Sequence, residues 1–324
     1  MPNPITSQPI LSLHAHGKLL LSGEYAVLDG ALALALPTLP GQSLQVFEQA
    51  DATGLLQWES INHQGQTWFT GVFQLSDWSC LKASDPDAGR WLQLLGQAAR
   101  KQHPDWLPHT TSGLKAVTRL EFPNEWGLGS SSTLVSLLAQ WANADPQTLL
   151  NDSFTGSGYD VACATAKGPI LYQRNAGRAG FVHIPFTPSF HHQLYFLYLE
   201  KKQNSREGIA QYRQQAHAAP DFIQRVSHLS WQLATAPDLS SFSKLLHTHE
   251  QLLAQVLHLP PVQQTHFPDF QGTVKSLGAW GGDFALVASP QPSAYIRRYF
   301  NEKGYPLLLP YQTLIQIADT ETTP

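Results

Sequence analysis

The sequence predicts an α+β protein of two domains, and three observations carry that expectation. At 324 residues the chain is too long for one ordinary hydrophobic core. Short strand-like runs broken by Gly, Asp and Asn fill the first half, whereas helical periodicity dominates much of the second. Helices and paired strands mixed in this way, without regular alternation, point away from a doubly wound parallel sheet. The apolar fraction of 42% is that of a folded chain.

Taken in order, Ile10–His14, Lys18–Ser22, Ala31–Leu36, Ser43–Phe47, Leu55–Ile61 and Thr67–Phe73 are expected as strands. Trp91–Gln102 is expected as a helix, with Leu92, Leu95 and Ala99 on one face. Leu114–Phe122 alternates as a strand should and delivers the chain into a glycine-rich segment. After that segment Leu134, Val135, Leu137, Leu138 and Trp141 recur at helical spacing. Ile170–Glu200 is strand-rich, including Gly180–Ile184 and Gln193–Leu199. Arg206–Ala218, Phe222–Ala234 and Leu239–Leu257 are expected as helices, punctuated by Pro220 and Pro237. The remaining order is strand Val274–Leu277, glycine turn, strand Phe284–Ala288, helix Ser293–Glu302 and strand Tyr305–Leu309. The boundary is expected near Pro185 and Pro188, giving domains 1–185 and 186–324.

Several classes of function are disfavoured. A net charge of −4 offers no broad basic surface for nucleic acid or membrane. Two cysteines, Cys80 and Cys163, make no disulfide framework. The amino terminus lacks the pattern of a signal peptide, and the most apolar stretch, Ala31–Leu36, is too short to span a bilayer. The expectation is a soluble, cytoplasmic protein, with a homodimer left open. His14-x-His16 and His247-x-His249 have no obvious third ligand nearby, so no transition-metal site is expected from them. Most of the nine tryptophans are expected as core, except Trp126 and Trp280, which sit inside glycine-rich segments.

Four segments carry chemistry. In Pro123-Asn124-Glu125-Trp126-Gly127-Leu128-Gly129-Ser130-Ser131-Ser132-Thr133, two glycines empty into a helix start with hydroxyls at its mouth. Unpaired N–H groups and the positive end of the helix dipole make such a turn an anion site, although an ordinary capped helix has the same pattern. Lys18 and Glu24 flank an apolar strand and a turn in the run from His16 to Gly30; a solvated ion pair is the plainer reading. In Thr155–Ala164, Asp160 follows two glycines and enters a small apolar helix, where an acid is also favoured by the dipole alone. Ser276–Phe284 is a glycine-rich link between two strands, which a hairpin would also explain. No GxxxxGK[ST] pattern occurs, so a P-loop nucleotide site is not expected.

Taken in order, these four segments resemble the signature motifs of the GHMP kinase superfamily, which includes galactokinase, homoserine kinase, mevalonate kinase and phosphomevalonate kinase. The resemblance implies a ribosomal-protein-S5-like (S5 domain 2) amino-terminal half, a ferredoxin-like carboxy-terminal half and an active site in the cleft between them. It implies that ATP lies along Glu125, Trp126, Gly127, Leu128, Gly129, Ser130, Ser131 and Ser132, with Ser131 on Mg²⁺. Asp160 matches the catalytic aspartate and Lys18 the lysine paired with it, roles that suit phosphoryl transfer. Glu24, Tyr25, Ser157, Gly158, Gly281 and Gly282 are implied as acceptor contacts. Lys201, Lys202 and Arg206 are candidate cations for an anionic acceptor, or else a solvated basic corner.

Three departures accompany the resemblance. Ser132 stands where the family's serine-serine-alanine run has alanine. Trp280 replaces a glycine usual in the last motif, which predicts a bulkier cleft there. The stretch 147–153 lacks the metal-binding glutamate of mevalonate kinases, leaving Asp152 as the nearby acid. The motifs look closest to mevalonate-pathway members, so the expected activity is ATP-dependent phosphorylation of a small acceptor bearing a hydroxyl or phosphate, mevalonate or phosphomevalonate kinase-like. A diphosphomevalonate decarboxylase, another GHMP kinase, and a non-catalytic metabolite or nucleotide sensor are the alternatives.

Overall fold

In the computed structural model, the residues described are 8–107, 112–153, 156–175, 178–200, 205–215, 220–278, 280 and 283–317. The strands are β1 (Leu11–Ser22), β2 (Ala33–Gln49), β3 (Leu55–Ile61), β4 (Thr67–Gln74), β5 (Cys80–Ala83), β6 (Gly113–Leu120), β7 (Ile170–Asn175), β8 (Arg178–His183), β9 (Leu194–Tyr198), β10 (Thr273–Ser276), β11 (Phe284–Ala288) and β12 (Leu308–Pro310). The helices are α1 (Pro86–Gln102), α2 (Ser130–Ala142), α3 (Pro146–Ser153), α4 (Tyr159–Thr165), α5 (Ser205–Gln215), α6 (Pro220–Ala234), α7 (Leu239–Leu257), α8 (Val262–His266), α9 (Ser293–Glu302) and α10 (Tyr311–Leu314).

The chain divides into two compact units, neither of them continuous in sequence. Unit 1 is Met1–Gly17, Pro40–Asn124 and Gly129–Thr165; unit 2 is Lys18–Leu39, Glu125–Leu128 and Ala166–Pro324. Strands β1 and β2 therefore each serve both units.

In unit 1 the strands run in the order β5-β4-β3-β6-β2, with β3 parallel to β6 and the other pairs antiparallel. Val46, Leu56, Trp58 and Ala116 join Leu92, Leu95, Leu137 and Leu138 in one buried cluster with helices α1 and α2. Trp78 stacks on Trp106 at 5.2 Å, and Trp106 meets Trp141 edge-on at the same distance, so these tryptophans are core as expected. Helix α1 starts earlier than its apolar stripe suggests. Asp85 accepts from the amides of Asp87 and Ala88, and Pro86 supplies a first-turn φ without needing a donor.

In unit 2 the start of β2 pairs with β7, and β7 pairs with β8. A second sheet, all antiparallel, has the order β10-β11-β9-β12. Val274, Val287 and Leu197 pack with Ile296 and Phe300 of α9, while α6 and α7 form another cluster with Tyr25, Ala26 and Tyr212.

The α+β expectation holds, but two strand expectations need correction. The runs Ile10–His14 and Lys18–Ser22 are one strand, and so are Ala31–Leu36 and Ser43–Phe47. Gly17, Pro40 and Gly41 read as breaks, yet Gly41 is there for close approach. A Cβ on it would lie 2.0 Å from the carbonyl oxygen of Ala15, and its amide donates to Glu121 Oε2 at 2.8 Å. The last strand begins at Leu308 rather than Tyr305, because Gly304 and Tyr305 are tied back to α9 through bonds to Asn301 and Phe300.

Candidate active site

Strand β6 leads through a 3-10 turn, Asn124–Trp126, to Gly127 and Gly129, with φ of 65° and 89°. Gly129 is the N-cap of α2 and provides no side chain to close the helix end, so its first amides remain available. The hydroxyls of the first turn then go separate ways. Ser130 Oγ donates to Asn124 Oδ1 at 2.7 Å, and Thr133 Oγ1 turns inward to Gln42 Oε1 at 2.7 Å. Ser131 is exposed. Ser132, 7% exposed, donates to Asp160 Oδ2 at 2.5 Å.

Asp160 is the second residue of α4, a short helix packed on α2. Its Oδ1 is buried and has no hydrogen-bond partner among the described residues. Ser157 and Gly158 precede it and are buried, and the Gln147 amide lies so close to Gly158 that a Cβ there would sit 2.1 Å from Gln147 Oε1. These residues all belong to unit 1.

Unit 2 holds a second group of motif residues. Lys18 Nζ donates to the Gly127 carbonyl at 2.7 Å, and the Lys18 amide donates to Leu128 O at 2.9 Å. The Asp283 carboxylate lies against Gly127: a Cβ there would fall 2.1 Å from Asp283 Oδ2, so glycine is required by contact as well as by φ. Trp126 meets Phe284 edge-on at 5.7 Å, and the exposed Glu125 accepts at its carbonyl from Tyr198 Oη at 3.3 Å.

Glu24 is not paired with Lys18, as the plainer reading of the sequence had it. It lies 2% exposed and forms an ion pair with Lys275, itself fully buried. Glu24 Oε2 is 3.5 Å from His249 Nε2, which accepts from the Gly23 amide at 3.1 Å. Glu250 accepts from the Ser276 amide at 3.2 Å. Burial raises the pKa of Glu24 against the opposing pull of Lys275. Burial and the nearby Lys275 hold His249 well below the ordinary histidine range, so its ring is neutral. Burial pushes Glu250 up to about 7, despite Lys275 and the Ser276 amide.

Tyr25 is likewise built in rather than open. Its φ of 59° is unusual for an aromatic residue. The ring stacks on Tyr212 at 5.8 Å, its hydroxyl accepts from the Trp280 amide at 3.1 Å, and a Cβ on Gly208 would meet that oxygen at 2.3 Å. Trp280 is 7% exposed and packs with Tyr25, Phe222 and Leu229. Its bulk is absorbed by the interior of unit 2, which corrects the expectation that it crowds an open cleft.

Lys201, Lys202, Gly281 and Gly282 lie outside the described residues. Arg206 lies in α5 and Asp152 in α3, with side chains that are outside them too. His14 Nε2 lies 3.1 Å from Glu121 Oε2. Sequence reasoning missed Lys275, Glu250 and Asp283, and had His249 only as a half of a weak metal pair. A lysine in the short strand just before Gly278, between Val274 and Ser276, was the available signal.

No protein-family model matches the chain, and no curated protein matches it either. Solved structures do. Mevalonate kinase of L. major, in complex with R-mevalonate, is 18% identical with a TM-score of 0.67, covering 99% of this chain and 100% of that one. Phosphomevalonate kinase of Streptococcus pneumoniae, in complex with phosphomevalonate and AMPPNP, is 18% identical with a TM-score of 0.67, covering 92% and 99%. Galactokinase of Lactococcus lactis, complexed with galactose, is 14% identical with a TM-score of 0.66, covering 95% and 93%. The chain therefore has the GHMP kinase fold over essentially its full length. At these identities the likeness defines the fold and leaves the acceptor open.

Proposed function

We propose that the protein is a cytoplasmic, ATP-dependent small-molecule kinase that phosphorylates mevalonate or phosphomevalonate. The observation that carries this reading is Asp160: one carboxylate oxygen is held by Ser132, the residue after Ser131 in the glycine-serine loop, and the other has no partner among the described residues. A carboxylate left this way beside a loop with free helix-start amides suits the two needs of phosphoryl transfer, a proton acceptor and a phosphate cradle.

In this reading residues 1–185 supply the nucleotide site and residues 186–324 the acceptor cations. Glu125 to Ser132 receive ATP, the α2 amides meeting its phosphates. Asp160 orients the acceptor hydroxyl and takes its proton as the oxygen attacks the γ-phosphorus and the bond from that phosphorus to the bridging oxygen breaks, releasing ADP. Lys18 carries positive charge beside Gly127 and favours the developing alkoxide. The exposed Ser131 hydroxyl is an oxygen donor of the kind Mg²⁺ takes, and Asp152 is a further proposed ligand. When bound, Mg²⁺ supplies charge neutralisation of the phosphates. Lys202 and Arg206 are proposed to meet the acceptor's carboxylate or phosphate, together with Ser157, Gly158, Gly281 and Gly282. Glu24 and Tyr25, both buried, are proposed to support the acceptor site.

A coupled ADP-release assay with mevalonate, phosphomevalonate, homoserine and galactose tests the proposal. Turnover is expected with one of the first two. Turnover only with galactose or homoserine moves the acceptor assignment, carbon dioxide release identifies a decarboxylase, and nucleotide binding without any turnover favours a sensor. Alanine variants at Lys201, Lys202 and Arg206 that all keep the acceptor KM would remove the cation assignment.

A further inference from the structure

The loop reading treats Ser132 as one more hydroxyl near phosphate, but its geometry says otherwise. At the third position of α2 it is 7% exposed, whereas its neighbour Ser131 is exposed. Its oxygen is 2.5 Å from Asp160 Oδ2, the length of a short charge-assisted O–H···O⁻ bond. A hydroxyl has one proton to donate, so a Ser132 committed to a carboxylate has none left for a phosphate oxygen. The two residues stand on different helices, α2 and α4, which pack on each other. Asp160 sits in the first turn of a seven-residue helix, after a turn at Gly158. An aspartate side chain there has two torsions to settle, and Ser132 is its one hydrogen-bond partner among the described residues.

We propose that Ser132 is a positioning residue for Asp160: it fixes the carboxylate through Oδ2 and so presents Oδ1 to the acceptor hydroxyl. This rests on the kinase reading above. In consequence the Ser132 hydroxyl contributes to the chemical step through the aim of the carboxylate, and only the Ser132 amide is left to the nucleotide phosphates. A general base works only within hydrogen-bond reach of its proton, so a freely turning Asp160 is productive for a fraction of the time.

The test is Ser132→Ala, a small exchange that removes the hydroxyl and suits a helix. In an ADP-release assay with mevalonate or phosphomevalonate, kcat should fall by roughly tenfold, the loss of one hydrogen bond to a charged group. The KM values for ATP and acceptor should stay within about twofold, the pattern of an interaction used in the transition state. Crystal structures of both proteins should find Asp160 turned, with Oδ1 displaced in the variant. An unchanged kcat would overturn the proposal, and so would a raised ATP KM at constant kcat, which would return Ser132 to the phosphates. If the wild type turns over no acceptor of the panel, galactose and homoserine included, the kinase reading fails. The crystallographic comparison still decides the positioning role: an unmoved Asp160 in Ser132→Ala overturns it.

Discussion

Two groups of carboxylates in this protein are treated in opposite ways. Asp160 in unit 1 is half-buried, with one oxygen bonded to Ser132 and the other unpartnered among the described residues. Glu24 and Glu250 in unit 2 are sealed in at 2% and 3% exposure, around a fully buried Lys275 and a neutral His249. Each of the three carboxylates keeps one oxygen without a hydrogen-bond partner among the described residues. The difference lies in burial and in the charged and ionisable neighbours: Asp160 is half-buried beside a hydroxyl, whereas Glu24 and Glu250 are sealed in with Lys275. The proposed function places reactivity with the first and architecture with the second, although both Glu24 and Asp160 lie in motifs that the sequence marks as functional.

The largest expected effect separates the two groups directly. Asp160→Asn should lower kcat by about a thousandfold or more while nucleotide binding and melting temperature hold, since a positioned base contributes roughly 10²–10⁴. Activity that survives within tenfold would put Asp160 among the structural residues. Lys275→Met should do the reverse. Breaking a buried pair by removing one partner costs about 3–5 kcal/mol, measured as a shift in the denaturant midpoint. Adding Glu24→Gln should restore much of that loss, and simple additivity would mean the two do not act as a pair.

Glu250 sharpens the comparison through pH. Burial raises its pKa to about 7 in the folded state. In the unfolded chain it ionises near the ordinary value of about 4.3, so between there and pH 7 the folded state keeps a proton the unfolded state has lost. Its contribution to stability is whole below that lower value and is lost as pH rises through 7. Urea unfolding should therefore register a loss of roughly 3 kcal/mol from pH 4 to pH 8 through this group, and Glu250→Gln should flatten that slope. A slope identical in the variant would assign the pH dependence elsewhere. The smallest effect belongs to Tyr25→Phe, which keeps the stack on Tyr212 but leaves the Trp280 amide without its acceptor. A loss of about 1–3 kcal/mol follows, and no measurable loss would mean that the bond carries no stability.

The fold was legible where pattern is local. Leu239–Leu257 and Ser293–Glu302 match the helices α7 and α9 at both ends, because their apolar faces repeat cleanly and Asp238 caps the first. Strands β1 and β2 were not legible as single strands: the purpose of Gly41 is a contact with Ala15 some two dozen residues away, which no window of sequence reveals. The candidate site divides similarly. Glycines at 127 and 129, the serine run and Asp160 announce themselves by composition. The bond from Ser132 to Asp160 and the pairing of Glu24 with Lys275 span 28 and 251 positions, and depend on how helices and strands pack. Asp283 was in view inside a quoted motif, but only the contact with Gly127 gives it a part.

The interleaving of the two units sets a timetable for the nascent chain. Unit 1 has all of its segments once residue 165 has been made. The stretch Lys18–Leu39 is synthesised among the first, yet all but four residues of the rest of its unit come after Thr165. Ser22 waits for Ser230, Gly23 for His249 and Glu24 for Lys275, separations of 208, 226 and 251 residues. Glu24, whose side chain ends 2% exposed in unit 2, thus leaves the ribosome long before its counter-ion. Until Lys275 emerges, that glutamate lacks the partner that accompanies its burial, and an unpaired charge is costly to bury.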